Sequence, residues 1–252
     1  MYESPLKSKS NDPKQGVYFI GTTPPKQDTD IELVAGIADK LLGRLNCIDY
    51  DGLIVYDIQD ETSRIDKPRP FPFKYTHDAR LYSKLLHDKS GKPVITYKSV
   101  SQRSAADFTR WLSDAWHQYS VRDIVLVGSP SSEGEIKLSL AQAYQTLKEH
   151  KSDFHLGGVT IAERHISKGD EHLRLRTKEL QGCEFFISQA LPTRVSLPKV
   201  VYGRIKQFGP TSEPSSIKHG PSIYAPDRTR ADWATVTGPI KCTLGSIAPR
   251  TL

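Results

Sequence analysis

Glu163, Arg164 and His165 stand together at the end of one predicted strand, and residues 182–189 (GCEFFISQ) close the next with Gln189. Two polar clusters at successive strand ends, joined by a charged helix, are how a (β/α) barrel assembles an active site. Gln189 brings an amide with both a donor and an acceptor face, which serves either a ligand edge or the local backbone. Arg174 and Lys178 lie four residues apart, hence on one helix face. Such cations suit a pyrophosphate; a solvated helix face has the same pattern. Ser129 opens a polar, turn-like run (SPSSEG) that either cradles a phosphate on its amides or is a plain connection. No Ser-His-Asp spacing, P-loop, metal-ligand cluster or GxGxxG with a following acid stands out.

The elements that must position these residues repeat along the chain. Apolar, β-rich runs begin near residues 17, 52, 93, 123, 156 and 183. The run at 52–58 (GLIVYDI) is nearly continuous in apolar residues, as expected of a parallel strand buried on both faces. Between the runs lie helical patterns. Asp28 to Asp30 can cap the first of them, in which Val34, Ile37, Leu41 and Leu45 form one stripe. In the third, Phe108, Trp111, Leu112 and Ala115 share a face. Alternating strand and helix argues for parallel βα units, in a (β/α)8 barrel of the TIM type or in a doubly wound sheet. Six units are used by Gln189, so a barrel read this way is incomplete after its sixth strand.

The chain has 252 residues and a net charge of +6. Residues after Ala190 hold nine Lys and Arg against three Asp and Glu, so the excess lies in that tail and the rest is neutral. Nucleic-acid recognition by the body has no electrostatic support. Eight of the 17 prolines also fall after Ala190, where helical period and strand alternation are lost, apart from a short apolar run at 200–202. The expected organisation is a flexible lead-in over 1–15, a barrel domain over 16–190 and a basic, Pro/Ser-rich, poorly ordered tail over 191–252. Cys47, Cys183 and Cys242 are too few for a disulfide framework and read as reduced, buried thiols. With no signal peptide and no apolar run of membrane-spanning length, a cytoplasmic protein is expected.

Residues 17–190 resemble the catalytic barrel of methylenetetrahydrofolate reductases, most closely the short, single-domain members. Residues 162–165 (AERH) stand where that family has Pro-Glu-x-His, and 178–189 (KELQGCEFFISQ) where it has Lys-x-x-x-Ala-Gly-Ala-x-x-x-x-Thr-Gln. Residues 21–25 (GTTPP) and 122–128 (RDIVLVG) match more weakly. The resemblance implies an oxidoreductase of one-carbon metabolism. Such an enzyme reduces methylenetetrahydrofolate to methyltetrahydrofolate, with FAD and NADH or NADPH. It implies a folate substrate at Gln189 and Glu163, cofactor contacts at His165, Glu171, Arg174, Lys178 and Ser129, and a homo-oligomer.

Two departures bear on this reading. The family's catalytic Glu on the first strand falls on Gly21, and its Asp after the fourth strand falls on Ser129. Glycine has no proton to give. Asp57 and Glu61, on the same rim, are the candidate substitutes; otherwise they are solvated acids. The alternative expectation is a non-catalytic or truncated relative that binds a folate-like ligand. The abrupt change after Ala190 reads as a shifted frame or an alternative splice.

Overall fold

The computed structural model describes residues 4–10, 17–58, 75–128, 136–161 and 168–188, and the backbone of 234–236 and 242–243. Six strands, β1 (Val17–Thr22), β2 (Gly52–Val55), β3 (Val94–Ser99), β4 (Asp123–Val127), β5 (His155–Thr160) and β6 (Phe185–Ser188), pair in sequence order, all parallel. Helices join them: α2 (Ile31–Leu45), α3 (Ala79–Ser90), α4 (Ala105–His117), α5 (Leu140–Glu149) and α6 (Glu171–Leu180). Six consecutive parallel strands, with five helices between them, curl into an incomplete (β/α) barrel, as the spacing predicts.

Local chemistry starts and stops the helices. Asp30 accepts the Glu32 amide (3.0 Å) at the head of α2, and Ser104 accepts that of Asp107 (3.1 Å) at the head of α4. Ser139 and Gln142 form a reciprocal capping box on α5. Gly91 ends α3 in the left-handed region (φ 67°), its amide donating to the His87 carbonyl. On α2 the expected stripe is turned. Val34, Ala38 and Leu45 are buried and Leu41 and Leu42 partly so, while Ile37 is 39% exposed.

Side chains of the strands alternate between two cores. The outward set packs under the helices, with Ile20, Leu53 and Val55 beneath α2 and α3, and Ile124, Leu126, Leu156 and Phe186 beneath α4, α5 and α6. The inward set, Val17, Phe19, Ile54, Ile95, Val125, Phe185 and Ile187, fills the barrel. Phe185 closes tightly on Gly157, where a Cβ would stand 2.4 Å from the ring. Only glycine admits that approach.

Two elements depart from expectation. Within the lead-in, α1 (Pro5–Ser10) is helical, and its Leu6 joins the interior core at 1% exposure. Ser4 Oγ donates to Asp123 Oδ1 (2.7 Å), which also takes the His155 Nδ1 proton (2.8 Å). Ion pairs from Lys7 to Glu184 (2.8 Å) and from Lys9 to Asp51 (2.6 Å) hold the segment at the N-terminal end of the barrel.

In the tail, β7 (Ala234–Val236) pairs antiparallel with β1, and β8 (Cys242–Thr243) antiparallel with β7. Both approach β6 within 8 Å between Cα atoms, so they span the side a seventh and eighth parallel strand would occupy. The run at 200–202 lies outside the described residues. Cys183 is buried as expected, but Cys47 is exposed. No helix among the described residues is long and apolar enough to cross a membrane.

Candidate functional site

Strand alternation sends Gly21, Tyr56, Tyr97, Val127 and Val159 inward at the C-terminal end of the barrel. Below them Phe19, Ile54, Ile95 and Val125 are fully buried. In the upper layer Tyr56, Val127 and Val159 keep partial exposure. The interior therefore opens as an aromatic and apolar mouth at the end where (β/α) barrels carry their sites. Tyr56 directly follows β2 and donates its amide to the Thr22 carbonyl (3.0 Å). Its ring meets that of Tyr97 edge to face, with centroids 5.0 Å apart and planes at 69°. Sequence reading missed both tyrosines. The signal was the alternation itself, since each stands two residues beyond an inward isoleucine (Ile54, Ile95).

The residues singled out from sequence divide into two groups. Glu163, His165, Ser129, Gln189 and Glu61 lie outside the described residues. Glu171, Arg174 and Lys178 are described, and each is engaged by the protein. Glu171, at the start of α6, is fully buried; its Oε1 accepts from the Ile161 amide (2.8 Å) and Thr160 Oγ1 (3.2 Å). It thus holds the end of β5, just before the segment bearing Glu163 and His165. Its Oε2 is buried and has no hydrogen-bond partner among the described residues. Arg174 pairs with Asp170 (3.3 Å) on the exposed face of α6. Lys178 turns from that face and donates to the Val159 carbonyl. Four-residue spacing put the two cations on one face, and here their heads take different protein partners, Asp170 and the Val159 carbonyl.

Asp57 does not serve as a free acid on the rim. It points outward and accepts from Lys98 Nζ (2.5 Å) and the Ser99 amide (2.9 Å). Lys98 is buried beneath α4, its ammonium 5.6 Å from the Trp111 ring centroid. Burial pulls the Lys98 ammonium below the usual lysine range, and Asp57 opposes that pull. The pair spends both charges on each other, tying β2 to β3.

Away from the mouth, a groove of about 590 Å³ runs between α4 and α5. There His150 Nε2 lies 3.1 Å from Ser113 Oγ, and His150 Nδ1 accepts the Ser152 amide (3.3 Å). The ring proton therefore sits on Nε2 and faces the serine, so His150 cannot act as a base toward Ser113. Burial, with His117 nearby, pushes the His150 imidazole below its ordinary pKa, which keeps it neutral. Among the described residues no group of three or more His, Cys, Asp or Glu is placed to hold a metal ion.

No protein-family model matches the chain, and neither does any curated protein. Solved structures do. One is an uncharacterised protein from Clostridium thermocellum that binds two copies of 5-methyl-5,6,7,8-tetrahydrofolic acid. It is 29% identical, with a TM-score of 0.64 over 81% of this chain and 62% of that one. The present chain thus spans less than two thirds of that protein's length. More distant are 2,3-dimethylmalate lyase, of the PEP mutase/isocitrate lyase superfamily (16% identity, TM-score 0.48, 87% of this chain and 72% of that one), and phosphonopyruvate hydrolase (10%, 0.44, 77% and 65%). At those scores the last two carry no argument about chemistry.

These findings correct the expectation of a methylenetetrahydrofolate reductase. No reductase family model matches the chain, and the structure similar to it at a TM-score of 0.64 is that of an uncharacterised protein that binds 5-methyl-5,6,7,8-tetrahydrofolic acid. The barrel gives a physical reason at the position expected to carry the proton donor. Gly21 has no side chain, and a Cβ there would stand 2.7 Å from the Tyr56 hydroxyl. Asp57, the candidate replacement, is committed to Lys98.

Proposed function

We propose that this chain is a folate-binding protein that holds a reduced folate of the 5-methyltetrahydrofolate kind at the C-terminal mouth of its barrel. One observation carries the reading: a protein 29% identical over 81% of this chain binds that ligand. The chemistry of the mouth supports it. A reduced pterin fuses a planar pyrimidine, which carries the hydrogen-bonding edge, to a puckered saturated ring, and the aromatic and apolar side chains described at the mouth suit the faces of such a molecule.

In this proposal Gln189, immediately after β6, reads the pterin edge with its amide. Glu163 and His165, just past the end of β5, supply further polar contacts from the same rim, and Ser129 follows β4 there. Glu171 acts on the ligand at one remove, by holding the end of β5 through Thr160 and Ile161. Function in this reading is binding, with no hydride transfer by the chain.

Titration calorimetry of the full chain with 5-methyltetrahydrofolate is the test. Saturable binding is expected, with Gln189→Leu weakening it about tenfold or more, since a buried polar edge then loses its partner. A full chain that takes up no ligand at millimolar concentration would sink the proposal.

A further inference from the structure

We infer that Tyr56 is the stacking platform for the flat ring of the ligand, and that Gly21 is a specificity-determining residue because its missing side chain is what lets that platform lie across the mouth. This rests on the folate-binding reading above and goes beyond it by naming what selects the pterin end of the ligand.

Three observations place the ring. First, the barrel interior just beneath it is filled by Phe19, Ile54 and Ile95, each fully buried, so the Tyr56 ring has no room to sink. Second, on the β3 side Tyr97, only 8% exposed, meets it edge to face at 5.0 Å. Such a contact is favourable between aromatic quadrupoles and holds one ring at a set angle to the other. Third, on the β1 side the phenol extends over Gly21. A Cβ built there would stand 2.7 Å from the Tyr56 hydroxyl oxygen, 2.9 Å from Cε2 and 3.1 Å from Cζ. Gly21 has no positive φ, so the backbone would accept any residue. Space alone demands glycine here.

The result is a phenol buttressed on one side, floored by aliphatic and aromatic side chains and laid over a bare backbone on the other. It keeps partial exposure at the mouth while Tyr97 is covered. A partly exposed ring held at a set angle at the mouth of the barrel is suited to stack the planar ring of a heterocycle. Stacking of this kind tolerates many ring chemistries but requires a planar face, so it engages the pyrimidine ring of the reduced pterin and ignores the flexible remainder of the ligand.

The test uses the full chain and two probes. One is 5-methyltetrahydrofolate; the other is p-aminobenzoylglutamate, which lacks the bicyclic ring. Tyr56→Leu is expected to weaken binding of the first roughly 5- to 100-fold, the range typical of losing one stacked aromatic. It should leave binding of the second within about twofold. Tyr56→Phe, which keeps the ring, should stay within about threefold for both.

Gly21→Ala should weaken 5-methyltetrahydrofolate binding as Tyr56→Leu does, because the new methyl displaces the ring. The double variant should then be no worse than Tyr56→Leu alone, the non-additivity expected of two changes acting through one contact. If Gly21→Ala lowers stability too far to assay, the double variant should recover the fold, since the obstructed ring is gone. Wild-type binding with Tyr56→Leu and Gly21→Ala both unchanged overturns this inference alone. Equal weakening of both probes by Tyr56→Leu also overturns it, because the residue would then be a general structural support. Failure of the wild-type chain to bind overturns the folate reading itself.

Discussion

Asp57 is a charge at a strand end whose role sequence alone leaves open between a rim acid and a solvated one, and Lys98 is the partner it did not reveal. A carboxylate at the end of a barrel strand reads as chemistry, but this one faces the helices, and its partner is a lysine whose side chain is only 6% exposed. Removing water from both ions costs several kcal/mol per ion, and the contact between them offsets that cost. Deleting one partner should therefore hurt more than deleting both. Lys98→Met is expected to lower stability by about 3–5 kcal/mol, with Asp57→Asn in the same chain restoring part of the loss. Urea unfolding of the single and double variants checks this. A Lys98→Met chain as stable as wild type would mean that Asp57 is hydrated and available as an acid after all.

Helix α1 shows how an element can form without a sequence signal of its own. Six residues are too few to be stable in isolation, since helix nucleation costs more than one turn returns. What holds α1 is the barrel end: Leu6 enters the interior core, and Ser4 completes the buried Asp123–His155 pair. Leu6→Ala should then cost about 2–5 kcal/mol, the usual loss for a buried leucine. A flexible lead-in would register a change within about 0.5 kcal/mol. The shift in thermal midpoint distinguishes the two outcomes. At the opposite end of the barrel, Glu171 works through similar logic, fastening α6 to the end of β5 with its buried carboxylate.

At the scale of the whole molecule, six parallel strands leave two edges, on β1 and on β6. Unpaired edges recruit other strands and promote association. Here β7 covers part of the β1 edge through Val17, Tyr18 and Phe19, and β8 continues toward β6. A chain ended after Ala190 should therefore self-associate. Size-exclusion chromatography is expected to show oligomers or aggregates where the full chain elutes as a smaller species. A truncated chain with the elution volume and melting temperature of the full chain would show that β7 and β8 protect nothing.

Much of this architecture was legible because it is written in local physics. Apolar runs such as VYFIGT and DIVLVG can be little else than buried strands, and the capping side chains of Asp30 and Ser104 mark helix starts wherever they occur. Period and spacing thus determined six βα units and, through them, which strand ends form the rim. Tertiary structure decided the rest. Whether Asp57 faces the mouth or the helices depends on strand parity and on where a lysine of the next strand ends up. The Tyr56–Tyr97 pair and the seating of the Tyr56 phenol over Gly21 exist only when three strands stand side by side in register. Those contacts join residues 35 (Gly21 to Tyr56) and 41 (Tyr56 to Tyr97) apart in the chain, distances over which no periodicity carries information, and they determine what the mouth can hold.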